Sequence, residues 1–194
     1  MTTARLEAFS DGVIAIIITI MVLEMKVPHG TAWADLAALW PTFLSYVLSF
    51  VNVGIYWNNH HHMLQAAEKV NAPILWANLH LLFWLSLMPF TTGWMGENHF
   101  APLPVALYAF DLMMCALAYV VLQYQIIKLD GEASVLGVAV GSDNKGKISL
   151  GAYCVAIPLA LLGYSWIAGA LLIAVAMVWF IPDRRIEKEI EQRE

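Results

Sequence analysis

The side chains that could do chemistry begin with a carboxylate in the first apolar stretch of the chain. Asp11 follows Ser10 and lies roughly 10 Å inside a stretch that begins near Ala4, at about 1.5 Å per helical residue. An ionisable side chain at the centre of a membrane span costs about 2.5–3.5 kcal/mol and usually faces protein or water. Asp11 is therefore expected to face other helices, either as a buried hydrogen-bonded anchor or as a proton or ion site.

Polar side chains recur at the same depth in the third apolar stretch. Asn78 and His80 lie about 9–12 Å inside that stretch if its helix begins near residue 72. A carboxylate, a hydroxyl, an amide and an imidazole at matching depth predict one buried hydrogen-bond network with Asp11 and Ser10. The simplest role of such a network is to lock membrane helices together.

Three consecutive histidines, His60–His62, end the second apolar stretch and could suggest a metal site. Successive helical residues point about 100° apart, so the three cannot converge on one ion. No second group of His, Cys or carboxylate residues accompanies them at ligand spacing. We predict no structural metal site and no cofactor, and we expect interfacial histidines beside a hydrogen-bonding Trp57. Cys115 and Cys154 lie in apolar stretches and are interpreted as small buried side chains rather than a disulfide.

The composition indicates that membrane helices hold these residues in place. Of 194 residues, 60% are apolar and 13% are charged, against about 45–50% and about 25% in soluble domains. A span needs roughly 20 residues, which leaves room for about six spans and none for a soluble catalytic domain. We therefore predict that the protein is not an enzyme. The net charge of −5, without a Lys/Arg patch, argues against a nucleic-acid partner.

The predicted fold class is an all-α membrane protein with one transmembrane domain over residues 1–194. Six spans are expected at about 4–25, 36–61, 72–95, 102–127, 148–163 and 166–182. The first is predicted to be a retained span, because it lacks the small-residue cleavage site of a signal peptide. The last two expected spans lie in one stretch of 35 uncharged residues. As a single helix this stretch would reach about 52 Å, whereas the hydrocarbon core is about 30 Å thick. The turn is expected at Gly163-Tyr164-Ser165.

The positions of the basic residues indicate how the six spans are oriented in the membrane. Nine of the ten fall on the side of the N-terminus, the second and fourth loops and the C-terminal tail: Arg5, Lys69, Lys128, Lys145, Lys147, Arg184, Arg185, Lys188 and Arg193. Only Lys26 falls on the other side. Basic residues concentrate in cytoplasmic loops, so we predict that both termini are cytoplasmic and that the protein lies in the inner cell membrane. The tail Asp183–Glu194 is expected to be a solvated helix end.

One side of the first helix carries an aliphatic stripe. Projected at about 100° per residue, Ile16, Thr19, Ile20 and Leu23 fall within roughly 100° of arc over about 10 Å of height. Asp11 lies about 140° from Ile16 on the same projection. The neighbouring residues are also apolar, so core packing or lipid contact remains the default interpretation of the stripe.

Three motifs lie in the first three apolar stretches. They are Arg5-x3-Phe9-Ser10-Asp11-Gly12-x2-Ala15-Ile16-x2-Thr19, then Trp57-x2-His60-His61, then Trp76-x-Asn78 followed by Leu85-Ser86-Leu87-Met88-Pro89-Phe90. Together they resemble the signature of the transmembrane protein 175 family in its single-repeat prokaryotic form. The last three stretches match that family only in number and hydrophobicity.

The resemblance implies a potassium-selective channel in which four six-helix subunits surround a central pore in the bilayer. Ile16, Ile20 and Leu23 match the family's constriction of large aliphatic side chains, and Thr19 matches a hydroxyl position that contributes to selectivity. The expected metal ions are potassium ions in the pore. The resemblance also implies a set of helix-anchoring residues: Arg5, Phe9, Ser10, Asp11, Trp57, His61, Asn78 and His80.

Rings of aliphatic side chains around a pore suggest how it would pass or block ions. A narrow ring of Ile or Leu side chains should dewet and block ions, and a wider one should pass partly hydrated potassium. Selectivity would come from the lower cost of stripping water from potassium than from sodium. Glu24 could form an outer ring of negative charge, although a solvated helix end explains it equally well.

Three other interpretations remain open from the sequence. Asp11, His80 and Asp111 could form the relay of a proton- or cation-coupled secondary transporter. The histidine run could serve a membrane metalloenzyme. A structural membrane protein without transport activity is the third.

Overall fold

The computed structural model describes residues 2–141 and 143–180, and within those ranges the chain forms helices and no strands. The helices are α1 (Thr3–Leu23), α2 (Trp33–Ala37), α3 (Trp40–Gln65), α4 (Ala72–Leu85), α5 (Met88–Glu97), α6 (Pro102–Asp130), α7 (Val135–Val140), α8 (Asn144–Leu161) and α9 (Ser165–Phe180). The predictions for the tail 183–194, for the end of the sixth span and for Arg184, Arg185, Lys188 and Arg193 lie outside the described residues.

Three segments are long and apolar enough to cross a membrane: Thr3–Leu23, Ala72–Glu97 and Pro102–Asp130. The helix α9 is apolar but shorter. The helix α3 has 26 residues, yet serines, asparagines and histidines along it lower its hydropathy. The α3 helix begins at Trp40, because Pro41 fits the first turn of a helix, where its missing N–H leaves no gap. The span expected from residue 36 therefore starts later and is preceded by the short helix α2.

The third expected span, 72–95, is interrupted rather than continuous. Its helix ends at Leu85, and Leu87 N bonds the carbonyl of Trp84 at 3.0 Å in a tightened turn. Pro89 has no N–H to offer Leu85, so the regular ladder cannot run through this point. Two helices, α4 and α5, result, and α5 begins at Met88.

The reversal between α8 and α9 falls at Gly163, in the turn expected near residues 163–165. Gly163 has φ of 92°, in the region that favours glycine. Its N–H bonds the carbonyl of Ala160 at 2.9 Å, and Tyr164 N bonds that of Leu159 at 2.9 Å. These bonds satisfy the last carbonyls of α8, as in the common glycine-terminated helix end.

The helix α6 forms the centre of the bundle and packs against α4, α5, α8 and α9. Its side chains Tyr108, Leu112, Cys115, Leu122 and Ile126 have no exposed surface. The helix α1 lies at one side, against α3, α4 and α5. The other cysteine, Cys154, is exposed, which corrects the expectation that both thiols are buried; both are free.

A glycine brings α5 and α3 into direct contact. A Cβ atom on Gly96 would lie 2.7 Å from Thr42 Cα and 3.3 Å from the carbonyl oxygen of Pro41, and it would also clash with Ser45 Oγ. Glycine is the residue that permits such an approach of backbone to backbone. The pair α3–α5 therefore forms a close-packed support behind α1.

Candidate functional site

The helix α1 has one buried and one exposed side. The buried side chains are Leu6, Ser10, Ile14, Ile17 and Met21, spaced by three or four residues as one helical face requires. This face packs against the rest of the bundle and contains a polar residue among apolar ones.

The opposite side of α1 exposes the predicted stripe. Ile16 is 58% exposed, Ile20 is 40% exposed and Leu23 is 79% exposed. Thr19 is exposed as well, and its hydroxyl donates to the carbonyl of Ile16 at 2.8 Å. Because a hydroxyl oxygen also has lone pairs, Thr19 can present an acceptor to the outside while its proton stays on the helix. The stripe thus combines large aliphatic side chains with one hydroxyl oxygen.

A chain of three buried polar groups holds α1 from behind. Asn78 Nδ2 donates to Ser10 Oγ at 2.9 Å, and Ser10 Oγ donates to the carbonyl of Leu6 at 2.9 Å. On the other side, His60 Nε2 lies 2.7 Å from Asn78 Oδ1. Because the Asn78 oxygen can only accept, Nε2 carries the proton in this arrangement. The chain connects α1, α4 and α3 through groups without exposed surface.

A second set of contacts joins α1 to α3 closer to the surface. Trp57 Nε1 donates to Asp11 Oδ1 at 3.0 Å. His61 Nδ1 lies 2.6 Å from Glu7 Oε1, and the Trp57 and His61 rings stack with centroids 6.2 Å apart. Asp11 therefore faces α3 with a hydrogen-bond partner and points away from the exposed stripe.

The polar residues form two separate sets of hydrogen bonds instead of the single predicted network. The buried imidazole is also not the one that was predicted. The structure places His80 on an exposed surface, where its Nε2 accepts from Trp84 on the same helix at 2.9 Å. Positions 78 and 80 point about 160° apart on a helix, so Asn78 and His80 cannot both face α1. His60 supplies the buried imidazole instead. That angular separation was available in the sequence and would have shown that only one of the two can face α1.

Arg5 and Phe9 also depart from the predicted anchoring role. Both are exposed, and Arg5 makes no hydrogen bond or ion pair among the residues that the structure describes. On the helical projection each lies about 20° from Ile16. They extend the exposed side of α1 toward its N-terminus and do not join the polar contacts behind it.

Sequence reasoning missed a second polar cluster, between α3, α5 and α6. Tyr108 OH accepts from Ser49 Oγ at 3.0 Å and from Asn52 Nδ2 at 3.3 Å. Thr92 Oγ1 donates to Ser49 Oγ at 2.6 Å. The signal was the spacing of Ser45, Ser49 and Asn52, which places three small polar groups on one face of α3.

The three acidic and imidazole groups of the transporter hypothesis have separate partners. Asp11 bonds Trp57, His80 bonds Trp84, and Asp111 Oδ2 accepts from Thr91 Oγ1 at 3.0 Å. Within the described ranges no hydrogen bond links one of the three to another. In the same ranges, no cluster of three or more His, Cys, Asp or Glu side chains could hold a metal ion.

Comparison with known proteins places this arrangement in a family. The family model described as "Endosomal/lysosomal potassium channel TMEM175" matches residues 5–89, the segment that contains α1 and its anchors. A potassium channel of Chryseobacterium sp. (strain P1-3) is 55% identical over 192 residues, which cover 99% of this chain and 100% of that relative. This chain belongs to the TMEM175 family.

Two further proteins extend the likeness. A potassium channel of Streptomyces collinus is 34% identical over 134 residues, 65% of each chain. The crystal structure of a lysosomal potassium-selective channel TMEM175 homolog from Chamaesiphon minutus superposes with a TM-score of 0.82 at 27% identity. That match covers 93% of this chain and 97% of the other. The protein is thus a helical, multi-pass member of a family of ion channels, and not of an enzyme class.

Proposed function

We propose that this TMEM175 protein conducts potassium ions through a central pore built from the α1 helices of four copies. The observation that carries the proposal is the exposed stripe of Ile16, Thr19, Ile20 and Leu23 on a helix that is anchored from its other side. Of the three apolar candidate spans, α1 has 28% of its apolar window buried, against 50% in each of the others. A helix with so little cover inside one subunit is suited to line a shared surface.

The topology that accompanies this proposal has six spans. They are α1, α3, the pair α4–α5, α6, α8 and α9, with both termini on the cytoplasmic side of the cell's inner membrane. The distribution of basic residues supports this direction. Lys26, at the far end of α1, pairs with Glu97 at 2.8 Å, and the other described basic residues fall at the opposite end of the bundle.

The width of the rings of aliphatic side chains controls whether the proposed pore passes ions. Four copies of Ile16, Ile20 or Leu23 would offer no polar ligand, so a narrow ring excludes water and blocks ions. A wider ring passes potassium with part of its hydration shell, and Thr19 oxygen atoms replace part of the rest. Asp11 would act as a structural or gating group, because it bonds Trp57 about 140° from the stripe. Glu24 is exposed at the end of α1, where an outer ring of carboxylates would concentrate cations.

The test uses purified full-length protein in liposomes, with potassium and sodium fluxes measured separately. Wild-type protein should pass potassium faster than sodium and should purify as an assembly with the mass of four copies. Ile16→Asn places a polar amide in the proposed constriction and should raise total flux while moving the potassium/sodium ratio toward one. The matched control is Ile167→Asn, which alters an isoleucine of similar exposure on α9 and should leave the ratio unchanged. An unchanged ratio in Ile16→Asn contradicts the pore assignment.

A further inference from the structure

A partly open cavity lies between the helices, away from the exposed stripe. Its volume is about 390 Å³, within the range of about 300–1,000 Å³ that is usual for small-molecule sites. Side chains of α3, α6, α8 and α9 line it, together with part of the connection between α6 and α8. No lining residue belongs to α1, so the cavity is separate from the proposed pore.

The walls of the cavity are largely apolar and aromatic. The Tyr56 and Tyr119 rings meet edge to face with centroids 6.2 Å apart. Trp179 forms another wall and is fixed by its Nε1, which donates to Ser149 Oγ at 2.7 Å. Aromatic rings held in this way form a rigid surface for an apolar chain or ring.

Two polar side chains in this cavity are buried without hydrogen bonds. Gln123 is 9% exposed and Tyr153 is 4% exposed, and both line the cavity. Neither makes a hydrogen bond to any part of the chain that the structure describes. The polar atoms of both side chains keep some accessible surface, so there is open space in front of them. Buried polar groups normally have partners, and the described residues supply none for these two.

The charges at the rim do not favour an ion of either sign. Asp143 and Lys147 both border the cavity, and they bring one carboxylate and one ammonium group. Inside, an amide and a phenol can each donate and accept. This combination suits an uncharged group with hydrogen-bonding oxygen or nitrogen atoms.

We propose that the cavity binds an amphipathic molecule. Its apolar chain or ring would pack on Tyr56, Tyr119 and Trp179, and its uncharged polar group would bond Gln123 and Tyr153. Such a molecule can come from the glycerol-ester region of a bilayer lipid or from a free small amphiphile. The site is independent of ion conduction, so it can be tested without a flux measurement.

The first experiment measures thermal unfolding of the delipidated full-length protein in detergent, with monoolein or with 1-decanol at equal mole fraction. A ligand that binds the folded state raises Tm, and we expect a shift of several degrees with at least one probe. A shift with monoolein identifies a lipid source, and one with 1-decanol alone identifies a small amphiphile. Ala116→Phe fills the cavity and should abolish the shift, whereas Ala174→Phe, on the exposed side of α9, should retain it.

Two conservative variants keep the proposal testable if Ala116→Phe does not fold. Gln123→Leu and Tyr153→Phe each remove one hydrogen-bonding group at nearly constant volume and should weaken the apparent affinity roughly three- to tenfold. Neither should lower the Tm of the ligand-free protein, since neither group has a hydrogen-bond partner among the described residues. The proposal is overturned if neither probe raises Tm, which is the result expected for a water-filled cavity. It is also overturned if the shift persists in Ala116→Phe, or if both conservative variants bind as tightly as wild type.

Discussion

The two sides of α1 differ from those of a soluble amphipathic helix. The side that faces the protein carries Ser10, which is fully buried and hydrogen-bonded, while the outer side exposes Ile16 and Leu23. In a bilayer, apolar surface gains little by moving from lipid into protein, so polar contacts and close packing hold helices together. The inner side of α1 therefore fixes the position of the helix, and the outer side remains free for another task.

The comparison also shows how the inner contacts select the outer residues. A rotation of α1 by one residue, about 100°, would turn Ile17 outward and carry Ser10 away from Asn78. Because the hydrogen bond from Asn78 to Ser10 has one geometry, it determines which aliphatic side chains are exposed. Four predictions test this division, from the largest expected effect to the smallest.

The largest expected effect is a loss of stability in Ile17→Asn. The variant Ile16→Asn, at the neighbouring position, should be almost as stable as the wild type. Ile17 is 3% exposed and Ile16 is 58% exposed, although they are adjacent in sequence. Asparagine at 17 removes apolar packing and buries an amide without a partner, which should lower the free energy of unfolding by about 2–5 kcal/mol. At 16 the change should stay within about 0.5 kcal/mol. Unfolding in a denaturing-detergent titration measures both, and equal losses would contradict the two-sided description.

Asn78→Leu should be the next most harmful. It keeps the side-chain volume but removes both hydrogen bonds of the amide and leaves His60 Nε2 without an acceptor. The expected loss is about 1–3 kcal/mol in the free energy of unfolding. The control is Asn58→Leu, at a half-buried asparagine that makes no hydrogen bond within the described residues. A loss as large in the control would show that any polar-to-apolar change on these helices is harmful.

Trp57→Phe tests the outer contact between α1 and α3. It removes the hydrogen bond to Asp11 and retains most of the ring that stacks on His61. Because Trp57 is 44% exposed, the loss should be about 0.5–1.5 kcal/mol. Trp76→Phe, at a more exposed tryptophan without a hydrogen bond in the described part of the chain, should change nothing measurable. If Trp57→Phe is also neutral, Asp11 does not help to position the helix.

The smallest effect is expected at the far end of α1, for Glu97→Gln. The hydrogen bond from Lys26 to Glu97, and the charge of that carboxylate, hold the pKa of Lys26 above its usual value. A raised lysine pKa contributes stability below the unfolded pKa, and that stability is lost as pH rises through the folded pKa. The pair is exposed, so Tm at neutral pH should not change measurably. Any dependence of Tm on this pair should appear only in strongly alkaline solution, above the usual lysine pKa.

The sequence allowed several of these features to be predicted, and tertiary contacts decided the others. One helical projection placed Ile16, Ile20 and Leu23 on a common side of α1, although it did not say whether that side is exposed. Matching depth in two helices placed Ser10 and Asn78 in one network. The choice of His60 over His80 depended on the direction in which α4 faces α1. Depth alone does not contain that information. The separation of Asp11 from the Ser10 chain likewise depends on the exact approach of α3, which no spacing along α1 reveals.

The contact at Gly96 has a consequence for how this fold can be recognised in distant sequences. Every residue except glycine would place a Cβ where α3 already lies, whereas a Cβ on Gly93 would lie 3.9 Å from its nearest neighbour. Sequences that keep this α3–α5 packing should therefore retain glycine at the position of Gly96 while the position of Gly93 varies. A chain whose first helix has diverged beyond recognition could still be assigned to this architecture by that pair of positions. A relative with a bulky residue at 96 and an unchanged backbone would show that the rule fails.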